Sequence, residues 1–160
     1  MDLNRKRMNA GITAEDNRSE LSAGSAVTLE ITAYGSEGQG IARHNGMAVF
    51  VPGAICGETV EAEIKKAAPS FAEAKLQKIL RPSAERVIPP CPHYAECGGC
   101  DILHMSYAEQ LRMKRETVRS AMERIGGFRG IEILPCIGAD KPEHYRNKAV
   151  FQFANAEKTN

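Results

Sequence analysis

The sequence predicts an α+β protein: a small closed barrel of five strands, then a cysteine-rich loop, one long helix and the start of a second, β-rich domain. Three observations predict it. Five short runs of alternating apolar and polar residues lie between Gly and Pro turns in the first half of the chain. Three cysteines sit close together just after a proline-bounded stretch. Beyond them, apolar residues recur at three- and four-residue steps, the period of a helix packed on one side.

Val27, Leu29 and Ile31 alternate with Thr28, Glu30 and Thr32, which is the period of a half-buried strand. Gly35, Gly38 and Gly40 mark a turn. The runs Ile41–His44 and Met47–Val51 flank Asn45-Gly46, a hairpin signal because both turn positions need positive φ. Pro52-Gly53 closes the second run. Val60, Ala62 and Ile64 alternate with Glu61, Glu63 and Lys65, and Phe71–Leu80 alternates through Ala72, Ala74 and Leu76. So short an all-β unit must close on itself to protect its edges, so an OB-like barrel is expected over residues 26–82.

Residues 1–25 are polar and aperiodic and are read as a disordered leader. Arg81-Pro82 and Pro89-Pro90 bracket a linker, since proline supplies no backbone donor and fixes φ. Ser106–Ile125 is a predicted helix, with Ser106 and Glu109 as a capping-box pair and Gly126-Gly127 as the stop. Its apolar stripe is Tyr107, Leu111, Val118, Met122 and Ile125. Ile131–Ile137 is expected to be a buried strand and Tyr145–Phe153 another. Residues 83–160 thus read as a cysteine motif, a helix and the beginning of a truncated central domain.

The 160 residues carry 21 basic and 20 acidic side chains, a net charge of +1 that does not by itself mark a nucleic-acid binder. Five cysteines, an odd number, with no secretory signal, argue against a disulfide scaffold. No apolar run is long enough for a membrane span. A cytoplasmic location with reduced thiols is expected.

Cys91, Cys97 and Cys100 lie within ten positions, and Gly98-Gly99 lets the backbone curl between the last two. Thiolates are soft ligands that suit zinc or an iron–sulfur cluster. A zinc ion would need a fourth ligand, for which His93 and His104 are candidates. A 4Fe–4S cluster would need a fourth thiolate. Spacing alone leaves these two near parity, with three incidental reduced thiols as the third reading. Cys56, inside the barrel, reads as a small buried hydrophobe.

Cys91…Cys97-Gly98-Gly99-Cys100, then His104, Tyr107, Gln110-Leu111, Lys114 and Arg119, followed by Tyr145-Arg146-Asn147-Lys148, resembles the bacterial 23S rRNA (uracil-5-)-methyltransferases. Gly38-Gln39-Gly40-Ile41-Ala42 and Phe50-Val51-Pro52-Gly53 resemble the TRAM domain these enzymes carry in front. The resemblance covers about residues 26–153, although Leu103 stands where the family usually has Gln. It implies a 4Fe–4S cluster on Cys91, Cys97, Cys100 and a distant fourth Cys; Cys136 precedes the Tyr-Arg-Asn-Lys motif and is not that residue. It implies RNA, 23S rRNA in particular, as partner, with neither DNA nor membrane, and S-adenosylmethionine as cofactor of the complete enzyme only. The chain shows no Gly-rich loop between a strand and a helix, so no catalytic residue is assigned and the segment is expected to be inactive alone. The alternative is a free-standing RNA-binding module with a structural zinc.

RNA contacts are expected from Arg43, Lys65, Lys66, Lys75 and Lys78 on the barrel, with His44 beside them, the four lysines on a shared edge of the last two strands. Arg112, Arg115 and Arg119 fall on one helix face and, with Arg146 and Lys148, form a second candidate set for tracking phosphates. For any one of these the competing reading is a solvated charge with a Glu partner.

Overall fold

The computed structural model describes residues 21–145 and 147–148. The expected leader, apart from its last residues, and most of the expected strand Tyr145–Phe153 lie outside the described residues. The chain divides into two compact units, Met1–Ser106 and Tyr107–Asn160.

The first unit holds the five strands that the alternation predicts: β1 (Ala26–Tyr34), β2 (Gly40–His44), β3 (Met47–Val51), β4 (Thr59–Ala67) and β5 (Phe71–Arg81). They close into a barrel in the order β1-β2-β3-β5-β4. All pairings are antiparallel except β3 with β5, which is parallel and closes the ring. Closure removes free edges, so the four basic strand residues do not sit on an open edge. Asn45 and Gly46 take φ of 49° and 82°, the left-handed geometry a two-residue hairpin turn demands.

The two-residue period decides what is inside. Leu29, Ile31, Ala42, Val49, Val51, Ala54, Val60, Ala62, Ile64, Ala72 and Ala74 form the core cluster. This core is aliphatic throughout, and alanines let the two sides of so narrow a barrel approach. Gly40 works the same way: a Cβ there would meet Ile31 Cγ2 at 2.8 Å and the Ala54 carbonyl oxygen at 2.9 Å. Cys56 is half-buried rather than part of this core, and its amide donates to the Tyr34 hydroxyl at 3.0 Å.

After the barrel come a short helix α1 (Tyr94–Cys97) and, in the second unit, α2 (Tyr107–Arg124). The predicted helix and its glycine stop are present: Gly127 has φ of 69°, and the Phe128 amide donates to the Met122 carbonyl at 3.0 Å. The predicted apolar stripe is only partly covered, with Val118 50% and Ile125 88% exposed. Ile131–Ile137 is not a buried strand. It is irregular, Leu134 and Ile137 are exposed, and it pairs with no strand among the described residues. An apolar run becomes a strand only when a neighbour completes its ladder, and β-propensity alone does not supply one. No helix among the described residues is long and apolar enough to cross a membrane.

Candidate functional site

The outward face of β3 and β5 carries a groove of about 770 Å³. Because Val49, Val51, Ala72 and Ala74 point inward, Phe50, Phe71, Glu73 and Lys75 point outward. The parallel register sets Phe50 opposite Glu73 and Ala48 opposite Phe71, which puts the two rings on a diagonal. Their centroids are 5.9 Å apart and their planes meet at 83°, an edge-to-face pair. Gln39, from the β1–β2 turn, forms one rim. Its amide donates to Glu37 at 2.7 Å. Gly35 makes room for this rim, since a Cβ there would sit 2.5 Å from Gln39 Oε1.

The predicted basic residues are placed as follows. Lys65 and Lys75 line the groove. Each barrel lysine faces an acid: Lys65 Nζ bridges Glu63 at 2.6 Å, while Lys75, Lys78 and Lys66 stand across from Glu63, Glu61 and Glu73 in the β4–β5 register. The Lys65 partner and further donors hold the Glu63 carboxyl below its ordinary range. Arg43 donates to the Gly46 carbonyl at 2.9 Å and so fastens the hairpin turn. On α2, Arg112 pairs with Glu109 at 2.6 Å and Arg119 with Glu116 at 3.2 Å, while Arg115 donates to the Ile133 carbonyl at 2.7 Å. The three helix arginines therefore do not form an open cationic stripe. Lys148 is exposed; Arg146 lies outside the described residues.

The stretch read as a linker contains an anchor. Glu58 is fully buried, and its carboxylate accepts from Arg86 Nε at 2.6 Å and Nη2 at 2.8 Å, from the Ile55 amide at 2.9 Å and from the Ser83 amide at 3.3 Å. Arg86 also donates to the Gly53 carbonyl at 2.7 Å. Burial pushes the Glu58 carboxyl up, but the arginine and the two amides outweigh it and hold the pKa below the usual carboxylate range. The chain then pairs with itself, Arg86 bridging Met105 and the Val87 amide donating to the His104 carbonyl at 3.0 Å. The cysteine loop is the excursion between these partners.

Within that loop, Cys91, Cys97 and Cys100 are all exposed. Gly98 turns the chain at the end of α1 with φ of 65°, as the Gly-Gly bend predicts. A Cβ on Gly99 would lie 3.3 Å from Cys97 Sγ. The donor chemistry suits a soft metal or cluster, but the arrangement is not a ligand cage: among the described residues no three His, Cys, Asp or Glu are gathered for a metal ion. His104 is buried. Its Nδ1 lies 2.5 Å from the Tyr94 hydroxyl, which donates to the Asp101 carbonyl at 3.0 Å. That chain of bonds assigns the proton to Nδ1 and leaves Nε2 a buried, bare acceptor with no partner among the described residues. Burial, helped by the Arg86 charge, lowers the His104 pKa to about 4. Burial likewise raises that of Tyr94.

Comparison with known proteins matches the barrel to a described domain. The TRAM domain family matches residues 20–77. An uncharacterised RNA methyltransferase of Clostridium tetani is 47% identical over 124 residues, covering 78% of this chain and 27% of that protein. One from Halalkalibacterium halodurans is 41% identical over 143 residues, covering 88% of this chain and 31% of that protein. Among solved structures, the Pyrococcus abyssi tRNA (uracil-54, C5)-methyltransferase with S-adenosyl-L-homocysteine is 25% identical, covers 63% of this chain and 21% of that one, and has a TM-score of 0.44. The chain spans about three tenths of the length of the curated relatives it matches. It carries a TRAM domain over residues 20–77 and is similar, over most of its own length, to proteins named as RNA methyltransferases.

Proposed function

We propose that this chain is the RNA-binding and cluster-holding N-terminal part of an S-adenosylmethionine-dependent methyltransferase acting on uracil C5 in 23S rRNA. One observation carries the reading: a closed TRAM barrel runs directly into the Cys91…Cys97-Gly98-Gly99-Cys100 loop, in a sequence related to RNA methyltransferases over most of its length. The barrel supplies the RNA surface. Cys91, Cys97 and Cys100 supply three thiolates to a 4Fe–4S cluster, with the exposed loop gathering around it. The cluster shapes the surface offered to RNA and carries no electron in the reaction.

RNA binding is tested by titrating structured 23S rRNA fragments at several salt concentrations. Affinity that falls with salt, and falls broadly across sequences when Lys65, Lys66, Lys75 and Lys78 are replaced together, supports phosphate tracking by the barrel. No binding to any RNA overturns the reading. The cluster is tested by iron and acid-labile sulfide in anaerobically prepared protein.

A structural zinc in an RNA-binding module without enzyme activity is the second reading. It is favoured by His104, whose Nδ1 is engaged and whose Nε2 is bare, the state in which an imidazole ligates metal. Stoichiometric zinc without sulfide would establish it over the cluster.

A further inference from the structure

Two walls of the groove on β3 and β5, Phe50 and Phe71, lie outside the barrel's core cluster. The chain has five Phe, four Tyr and no Trp. Among the described residues no aromatic is in the barrel core, which is aliphatic. Phe50 and Phe71 stand on the outer face instead, half-buried against each other and open to the groove. Perpendicular rings make a corner, with the face of one ring set against the edge of the other. A flat heteroaromatic ring fits such a corner by stacking on one wall and meeting the other edge-on. The volume lies within the ~300–1,000 Å³ typical of small-ligand sites.

Charge narrows the occupant further. Lys65 and Lys75 on the rim are offset by Glu37 and Glu73, so the groove presents little net field to a run of phosphates. Lys65 is also held by Glu63. Attraction there rests on the rings rather than on Coulomb forces. The rim is pre-formed, because Gln39 is tied to Glu37 in both directions, amide to carboxylate at 2.7 Å and backbone to side chain at 3.3 Å.

We propose that this groove binds an unpaired base of single-stranded RNA, stacked in the corner between Phe50 and Phe71, with Lys65 and Lys75 meeting only the flanking phosphates. The proposal rests on the RNA-binding reading above and adds the class of RNA. Duplex RNA keeps its bases in the stack and offers nothing to this corner.

The test uses the full chain and short, fluorescently labelled RNA oligonucleotides of mixed sequence, single-stranded and duplex. The single strand should bind more tightly than the duplex, with a shallow salt dependence. Phe50→Leu and Phe71→Leu keep apolar bulk and remove the rings, and each should weaken binding about tenfold, in line with the stacking energy of one base. Phe71→Tyr should restore most of it. A 2-aminopurine placed in the oligonucleotide should lose fluorescence on binding to the unaltered chain, a readout that does not depend on how the variants fold. If both Leu variants bind as tightly as the unaltered chain while the four-lysine variant fails, RNA binding stands and this site is overturned. Unquenched 2-aminopurine at every position in a bound oligonucleotide overturns it as well, and leaves an apolar peptide as the fitting occupant. Failure of the unaltered chain to bind any RNA removes the broader reading itself.

Discussion

The barrel and the thiol loop belong to the same compact unit, yet they are held by opposite means. The barrel is a ring of five strands around eleven buried apolar residues. The loop buries none of its three cysteines and is held at its two ends, by the Arg86–Met105 bridge and the Val87–His104 hydrogen bond. At those ends the fully buried Glu58 pairs with the partly buried Arg86. The barrel is thus stabilised by area removed from water, and the loop by a few directional bonds. A segment of the second kind can rearrange without disturbing its support.

The sharpest way to break this comparison is to hollow the barrel. Ile64 is fully buried, and Ile64→Ala should cost roughly 4 kcal/mol of unfolding free energy, from lost transfer energy plus a cavity. Ile125→Ala, at an exposed helix end, should change it by less than about 0.5 kcal/mol. Urea titration of both variants checks the contrast, and equal losses would refute it.

The anchor comes next. Arg86→Met leaves the Glu58 carboxylate buried without its main partner, and should cost about 3 kcal/mol. Replacing both residues, Glu58→Gln with Arg86→Met, should recover part of that loss. A double-mutant cycle in urea measures the coupling; additive losses would mean that the two residues do not act as a pair.

Acid should loosen the loop attachment by a smaller amount. The His104 pKa falls from 6.5 to about 4 on folding, so the unfolded chain binds a proton that the folded chain refuses. Stability is then fully present above about pH 6.5 and declines as pH falls towards 4, by roughly 2–3 kcal/mol. Glu58, whose carboxyl is held low, adds a loss of the same sign as pH drops further. Thermal melts between pH 4 and 7 should show the slope, and His104→Phe should flatten it. An unchanged slope in that variant would assign the effect elsewhere.

The smallest effect is expected at the thiols. Replacing Cys91, Cys97 and Cys100 by Ser should shift barrel unfolding by less than about 0.5 kcal/mol in metal-free protein, since all three are exposed. The same variant should lose bound iron and sulfide. A large stability loss without metal would show that the thiols pack rather than ligate.

Much of this molecule follows from local pattern. The five strands, the Asn45-Gly46 turn, the aliphatic inner face and the helix with its glycine stop are legible because each depends on neighbours in sequence. The signal for Phe50 and Phe71 was also present: they fall at the opposite parity from Val49, Val51, Ala72 and Ala74 and so had to point outward. What sequence alone did not join was the pair, because the parallel contact between β3 and β5 arises only when the barrel closes. The antiparallel β4–β5 register set Lys66, Lys75 and Lys78 opposite glutamates, Lys65 bridges Glu63 on its own strand, and the expected basic edge is a mixed-charge ladder. Arg86 in an expected linker and Glu58 in a loop are 28 residues apart, and no periodicity links them. Ile131–Ile137 has strand composition and no ladder partner among the described residues, so its alternation remained a propensity. Local sequence determined which residues face in or out, since that is a property of one strand or one turn. Tertiary structure decided which outward residues meet, since that depends on register and closure between segments far apart in the chain.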